Sequence, residues 1–242
     1  MFWRKKPIVL HCYTFRPDVF NYFPIVEAKQ KVPEWFKKLT APYYKSPEDH
    51  SLNLKLCPAA SSLFSSGFIL PLWSDLFLAV GEIGTNTYRW QYSDKTSDLE
   101  SHPSEQWENN FVEEKYQHLK LKSPWIFECE EKVPFLALEP EWQFDVLDNI
   151  TILNGVLEFH TQNTTNVNMF FRRREEEIQQ IIPCGTPIYK FVPLSERKVI
   201  LKNHLISFEE FNMKSSKTTG ISFLRHFQKK KVLLKNKCPY IT

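Results

Sequence analysis

Short runs of branched and aromatic residues, each about the length of a strand and each closed by a turn signal, recur along this chain and constrain it to a mainly β fold. Pro7 to Phe15 is the first such run. Phe68 to Trp73 and Leu76 to Val80 follow, then a turn at Gly81 and Gly84, then Thr85 to Tyr92 in alternation. This spacing predicts a hairpin from Phe68 to Tyr92, with Asn86, Tyr88, Trp90 and Tyr92 on one face and Thr87, Arg89 and Gln91 on the other. Strand signals resume at Trp125 to Cys129, Val133 to Leu138, Gly155 to Thr161, Val167 to Arg172, Ile181 to Val192 and Lys198 to Leu201. Between them, residues 93–118 read as a long polar surface loop.

Helical signals are few. Ala28 to Leu39 places Pro33 and Glu34 before Lys37 and Lys38, an order that suits the helix dipole, with Trp35, Phe36 and Leu39 as its buried stripe. Pro58 to Ser66 reads as a short helix stopped by Gly67, and Ile206 to Met213 as one begun by Ser207. The expected fold is mainly β with a few short helices (α+β), a jelly-roll or barrel-like antiparallel β sandwich. One domain is expected over 1–213, with a basic segment over 214–242. The 20 Phe, 9 Tyr and 7 Trp supply enough burial area for a single large core.

Several classes are disfavoured. No stretch of about 18 apolar residues is present, so no membrane partner is expected. Residues 1–7 lack the apolar centre of a signal peptide. Five cysteines, an odd number with no CxxC spacing, read as reduced, buried thiols in a cytosolic chain. Charge is unevenly placed: Asp94 to Asp148 holds 14 acidic against 5 basic residues, while Lys214 onward holds 8 basic and none acidic. Such asymmetry suits an electrostatic contact with nucleic acid or an acidic protein patch, through Lys229, Lys230, Lys231, Lys235 and Lys237; it equally suits a solvated terminus.

Motifs for P-loop, dinucleotide, α/β-hydrolase and zinc-protease chemistry are absent. Glu158-Phe159-His160 is the nearest approach to a site. On a strand its two polar side chains share a face, and His204 would complete the two-histidine, one-carboxylate set that holds Fe(II) in non-haem oxygenases. Arg89 or Arg172 would then hold a carboxylate-bearing co-substrate. The order is the reverse of the usual His-x-Asp or His-x-Glu, and the same pair also reads as an ordinary polar face. Trp73, Arg89 and Trp90 would suit a ring-shaped or carbohydrate ligand, or core packing. Cys184 reads as a buried inert thiol. Arg172 to Arg174 is followed by Glu175 to Glu177, so that charge nearly cancels.

Phe68 to Leu76, Tyr88 to Gln91, Leu119 to Trp125, Thr165 to Phe170 and Pro183 to Ile188 together resemble an uncharacterised family encoded by tailed bacteriophages, notably T4-like phages of marine bacteria. The resemblance spans roughly residues 2–210. It implies a viral origin, synthesis in the host cytoplasm and a virion-associated or host-directed role; it assigns no activity. Three functions stay open: a non-enzymatic β-rich protein that binds a virion or host protein, a cupin-like Fe(II) oxygenase, and a nucleic-acid-binding accessory protein.

Overall fold

Strand β1 (Ile8–Thr14) alternates buried with half-buried residues along its length. Ile8, Leu10, Cys12 and Thr14 enter the interior, and Val9, His11 and Tyr13 take the other face. In the computed structural model, which describes residues 6–39, 54–85, 87–102, 115–141, 143 and 146–215, this strand sits inside a six-stranded sheet. Its neighbours are β14 (Val199–Leu205) at the edge and β7 (Tyr116–Glu128) on the inner side. Beyond β7 lie β11 (Thr164–Arg172) and β9 (Ile150–Ile152), with β6 (Leu99–Ser101) also pairing β7.

A second sheet runs β10 (Gly155–Leu157), β8 (Phe135–Leu138), β13 (Pro187–Pro193), β3 (Phe68–Pro71), β2 (Val26–Glu27). A third runs β12 (Ile178–Ile182), β4 (Leu76–Val80), β5 (Tyr88–Tyr92). The first two sheets meet through rings. Phe127 on β7 lies edge-on to Phe191 on β13 at 5.1 Å and stacks on Phe159 at 4.8 Å, and Phe135 on β8 closes the group against Phe159 at 5.0 Å. Each such ring, fully withdrawn from water, stabilises the fold by about 1.5–3 kcal/mol before ordering costs. The mainly β, α+β sandwich is therefore formed, and all three sheets are open rather than closed into a barrel.

Some local expectations are corrected. β1 pairs β14 in parallel, Ile8 opposite Val199 through Thr14 opposite Leu205, within an otherwise antiparallel arrangement. The expected hairpin is confined to β4 and β5, because the chain turns at Leu72 to Asp75 and sends β3 to the second sheet. Leu72 N–H donates to Thr186 at 2.8 Å and Gly185 N–H returns to Leu72 at 2.7 Å, which pins that crossing. Residues 93–118 are not all loop: Leu99 faces Leu121 across β6 and β7, and Lys120 and Lys122 pair with Glu100 and Asp98. Cross-strand ion pairs here let polar residues form strand.

Between β1 and β3 the helices are short. A 3-10 turn (Ala28–Lys31) and α2 (Glu34–Lys38) replace one longer helix, and with little more than one turn α2 buries Phe36 while Trp35 stays exposed. The first helix, α1 (Pro17–Tyr22), follows β1, and α3 (Pro58–Ser65) ends at Gly67 with φ +82°, as its sequence predicts. Phe36, Ala60 and Phe64 make a small separate cluster. The last helix among the described residues, α4, runs through 208–215. No helix among the described residues is long and apolar enough to cross a membrane.

Candidate functional site

Two features converge on the outward face of the six-stranded sheet, where β14, β1 and β7 run side by side. Period-two alternation turns His11 and Tyr13 outward on β1, and the parallel register sets Tyr13 opposite His204. His11 Nδ1 lies 2.9 Å from His204 Nε2, so one ring donates its N–H and the other accepts it. Tyr13 stacks on His204 with centroids 4.8 Å apart. Glu128, at the end of β7, faces His11 in the antiparallel register.

α4 lands on this cluster. Ser207 begins the helix: its Oγ accepts the Glu210 N–H at 3.1 Å, and its carbonyl accepts the Phe211 N–H at 3.0 Å. Phe208 and Phe211 lie edge-on to Phe15 at 5.1 and 4.9 Å. One turn later Lys214 Nζ sits 4.3 Å over the Tyr13 ring and 3.0 Å from Glu128 Oε2. Asn163 donates to the Lys214 carbonyl at 2.6 Å. The exposed ion pair is worth only about 0.2–1 kcal/mol by itself. Its ring contact and helix anchor give it a fixed place.

Electrostatics follow from burial and these neighbours. Burial and the Glu128 charge push the Tyr13 hydroxyl above the usual tyrosine range. Burial opposes charge on Glu128 and on Lys214, but their mutual contact outweighs it, so the carboxylate is held low and the ammonium high. His204 is held below the ordinary histidine value, first by burial and then by His11, Lys202 and Lys214. Beside the cluster lies a cavity of about 210 Å³ lined by Tyr13, Glu128, Phe159, His160, Asn163 and Lys214 among others. That is smaller than the roughly 300–1,000 Å³ of a typical small-molecule pocket. It is a niche for a side chain or a few waters.

The expected metal triad does not assemble. Glu158 and His160 are not on a strand: β10 stops at Leu157, and the Thr161 and Gln162 N–H groups both return to the Glu158 carbonyl at 2.9 Å, closing a turn. The turn drives Phe159 into the ring cluster of the core, which sets the direction of its neighbours. His160 reaches the cavity, whereas His204 is engaged by His11. Among the described residues no group of three or more His, Cys, Asp or Glu is placed to hold a metal ion, so Glu158, His160 and His204 do not fit an Fe(II) site.

The other candidates disperse as well. Trp73 is buried and its Nε1 donates to Ser97 Oγ at 2.7 Å, within a latch in which Arg16 contacts Asp18, Asp94 and Ser97. Burial there would raise Asp94, but hydrogen bonds from Ser97 and Thr96 and the Arg16 charge hold it far below the carboxylate range. Arg89 is exposed and bound at 2.8 and 3.0 Å by Glu177, whereas Trp90, the next residue, turns to the opposite face and packs on the core. Arg172 is exposed on β11. Cys184 is exposed rather than buried, and partial burial and Asp75 push its thiol up, away from thiolate reactivity. The other described cysteines, Cys12, Cys57 and Cys129, are free thiols. Lys229, Lys230, Lys231, Lys235 and Lys237 lie outside the described residues.

His11, Tyr13, Glu128 and Lys214 were not singled out by sequence reasoning. The alternation of His11 and Tyr13 in the first strand was their one visible signal, since the pairing with His204 spans 193 positions. Compared with known family models and with curated proteins, the chain matches none.

Proposed function

We propose that this chain is a phage-encoded β-rich binding protein, made in the host cytoplasm, that contacts a virion or host protein through α4 and the adjoining edge of the six-stranded sheet. One observation carries the reading: Leu205, Phe208 and Met213, at the end of β14 and along α4, expose about half of their surfaces or more while the sheet behind them is well packed. Large apolar side chains left in water beside charged ones characterise contact surfaces. The partner's chemistry follows from charge. Lys214, on α4, opens a stretch of 8 basic and no acidic residues, which suits a partner with apolar contacts and an acidic rim.

The test compares the wild-type chain with a Leu205→Asp/Phe208→Asp variant in affinity capture from host and infected-cell extracts. A protein retained by the wild type alone is then purified and its Kd measured against both chains. At least a tenfold weaker Kd for the variant is expected, and equal affinity would overturn the reading. Oligonucleotide binding that falls steeply with salt and vanishes on truncation after Met213 would instead favour the nucleic-acid function.

A further inference from the structure

We propose that the His11–His204 pair is an acid-sensitive latch that holds β14 and α4 against the sheet and releases them when both imidazoles carry a proton. The geometry requires a single shared proton between the facing nitrogens. At 2.9 Å, His11 Nδ1 and His204 Nε2 form one hydrogen bond, which needs a lone pair on one ring. A doubly protonated pair turns two N–H groups and two positive charges towards each other across the β1–β14 junction.

That junction is the weak side of the sheet. Among the described strands β14 is at the edge, paired to β1 alone, and the pairing is parallel. The latch also reaches α4 in a continuous series, from His11 to His204, to the Tyr13 ring at 4.8 Å, to the Lys214 ammonium at 4.3 Å. Loss of the first contact therefore loosens the seat of the last.

The charged groups facing the pair come from four elements. Tyr13 is on β1, Lys202 on β14, Glu128 on β7, and Glu210 and Lys214 on α4. For His204, His11, Lys202 and Lys214 oppose a positive charge and Glu210 favours it; burial and the three opposing groups prevail. The folded state thus prefers the neutral ring, whereas the unfolded chain takes up a proton at the ordinary value of 6.5. The stabilisation is complete above that pH and is lost as the pH falls through it towards the lower folded value. The latch opens in acid and is shut at neutrality.

A second imidazole pair gives the device a boundary. His118 stacks on His102 at 4.4 Å at the β6–β7 side of the same sheet, and burial, His102 and Lys120 hold it down at about 4 despite a hydrogen bond that its ring donates to Asn168. His118 therefore keeps a neutral ring at pH 5, and that side of the sheet serves as the internal reference for the β14 edge. The inference concerns the protein alone and stands whether or not α4 meets a protein partner.

Hydrogen–deuterium exchange of the full chain at pH 7.5 and 5.0, corrected for the intrinsic rate, tests it. Protection over 199–215 is expected to fall at least tenfold in acid while 116–122 and 164–172 stay unchanged. His204→Phe, which keeps a ring on Tyr13 but cannot be protonated, should abolish the pH difference. Equal protection of 199–215 at both pH values, or an unchanged acid loss in His204→Phe, would overturn the proposal. Should that variant not fold, histidine carbon-detected titration of the wild type decides: a His204 midpoint below the ordinary value of 6.5 supports the latch, and a midpoint at or above it refutes the latch.

Discussion

Glu141→Ala should destabilise the fold by about 3–5 kcal/mol, because it strands a buried ammonium. Lys190 lies on β13 with no side-chain surface in water, and its Nζ donates to Glu141 Oε1 and to the Leu63 carbonyl, each at 2.6 Å. Removing Glu141 leaves one neutral acceptor for a full charge that cannot turn outward. The reverse change should be far milder. Lys190→Met keeps an apolar chain in the same space, and Glu141, 14% exposed, can turn to solvent. About 1 kcal/mol is expected for Lys190→Met, the loss of a hydrogen bond to Leu63. Urea unfolding of both variants and of the double variant reads this asymmetry. A Glu141→Ala cost no greater than that of Lys190→Met would show that water reaches Lys190 after all.

Gly67→Ala should cost about 2–5 kcal/mol, of which roughly 1–2 is the left-handed backbone and 1–3 the displacement of a neighbour. Gly67 has φ +82°, and an added Cβ would fall 2.2 Å from the Phe191 carbonyl oxygen on β13, where no side chain can swing aside. Gly84 supplies the control. Its φ is +84°, yet nothing lies within 4 Å of where its Cβ would be. Gly84→Ala should therefore show the conformational cost alone. The difference between the two unfolding midpoints measures how tightly α3 and β3 are seated against β13, and equal losses would mean that the Phe191 backbone yields freely.

Much of the fold was legible because it is local. Runs of branched and aromatic residues marked β1, β4 and β11, alternation marked β5, and Ser207 and Gly67 marked helix ends through capping and chirality that need only a few neighbouring residues. What was hidden depends on partners far along the chain. Glu158 and His160 look alike on paper whether the segment is a strand or a turn; the pull of Phe159 into the ring cluster decides it. Phe68 to Tyr92 reads as one hairpin until β13 claims β3. The candidate site was the least visible part, since His11 and His204 become neighbours only through a parallel pairing that no turn announces.

That parallel pairing has a kinetic consequence. β1 is the first described strand to emerge in synthesis and β14 the last, yet they must lie side by side, with His11 waiting 193 positions for His204. Non-local pairings of this kind place such domains among the slower folders, about milliseconds to seconds. Through elongation at about 5–20 residues per second, one edge of β1 stays unpaired for roughly ten seconds or more. The exposed edge is a template for pairing with other chains during that interval. Yield from a cell should accordingly depend on what shields β1 in the nascent chain as much as on how stable the finished sheet is.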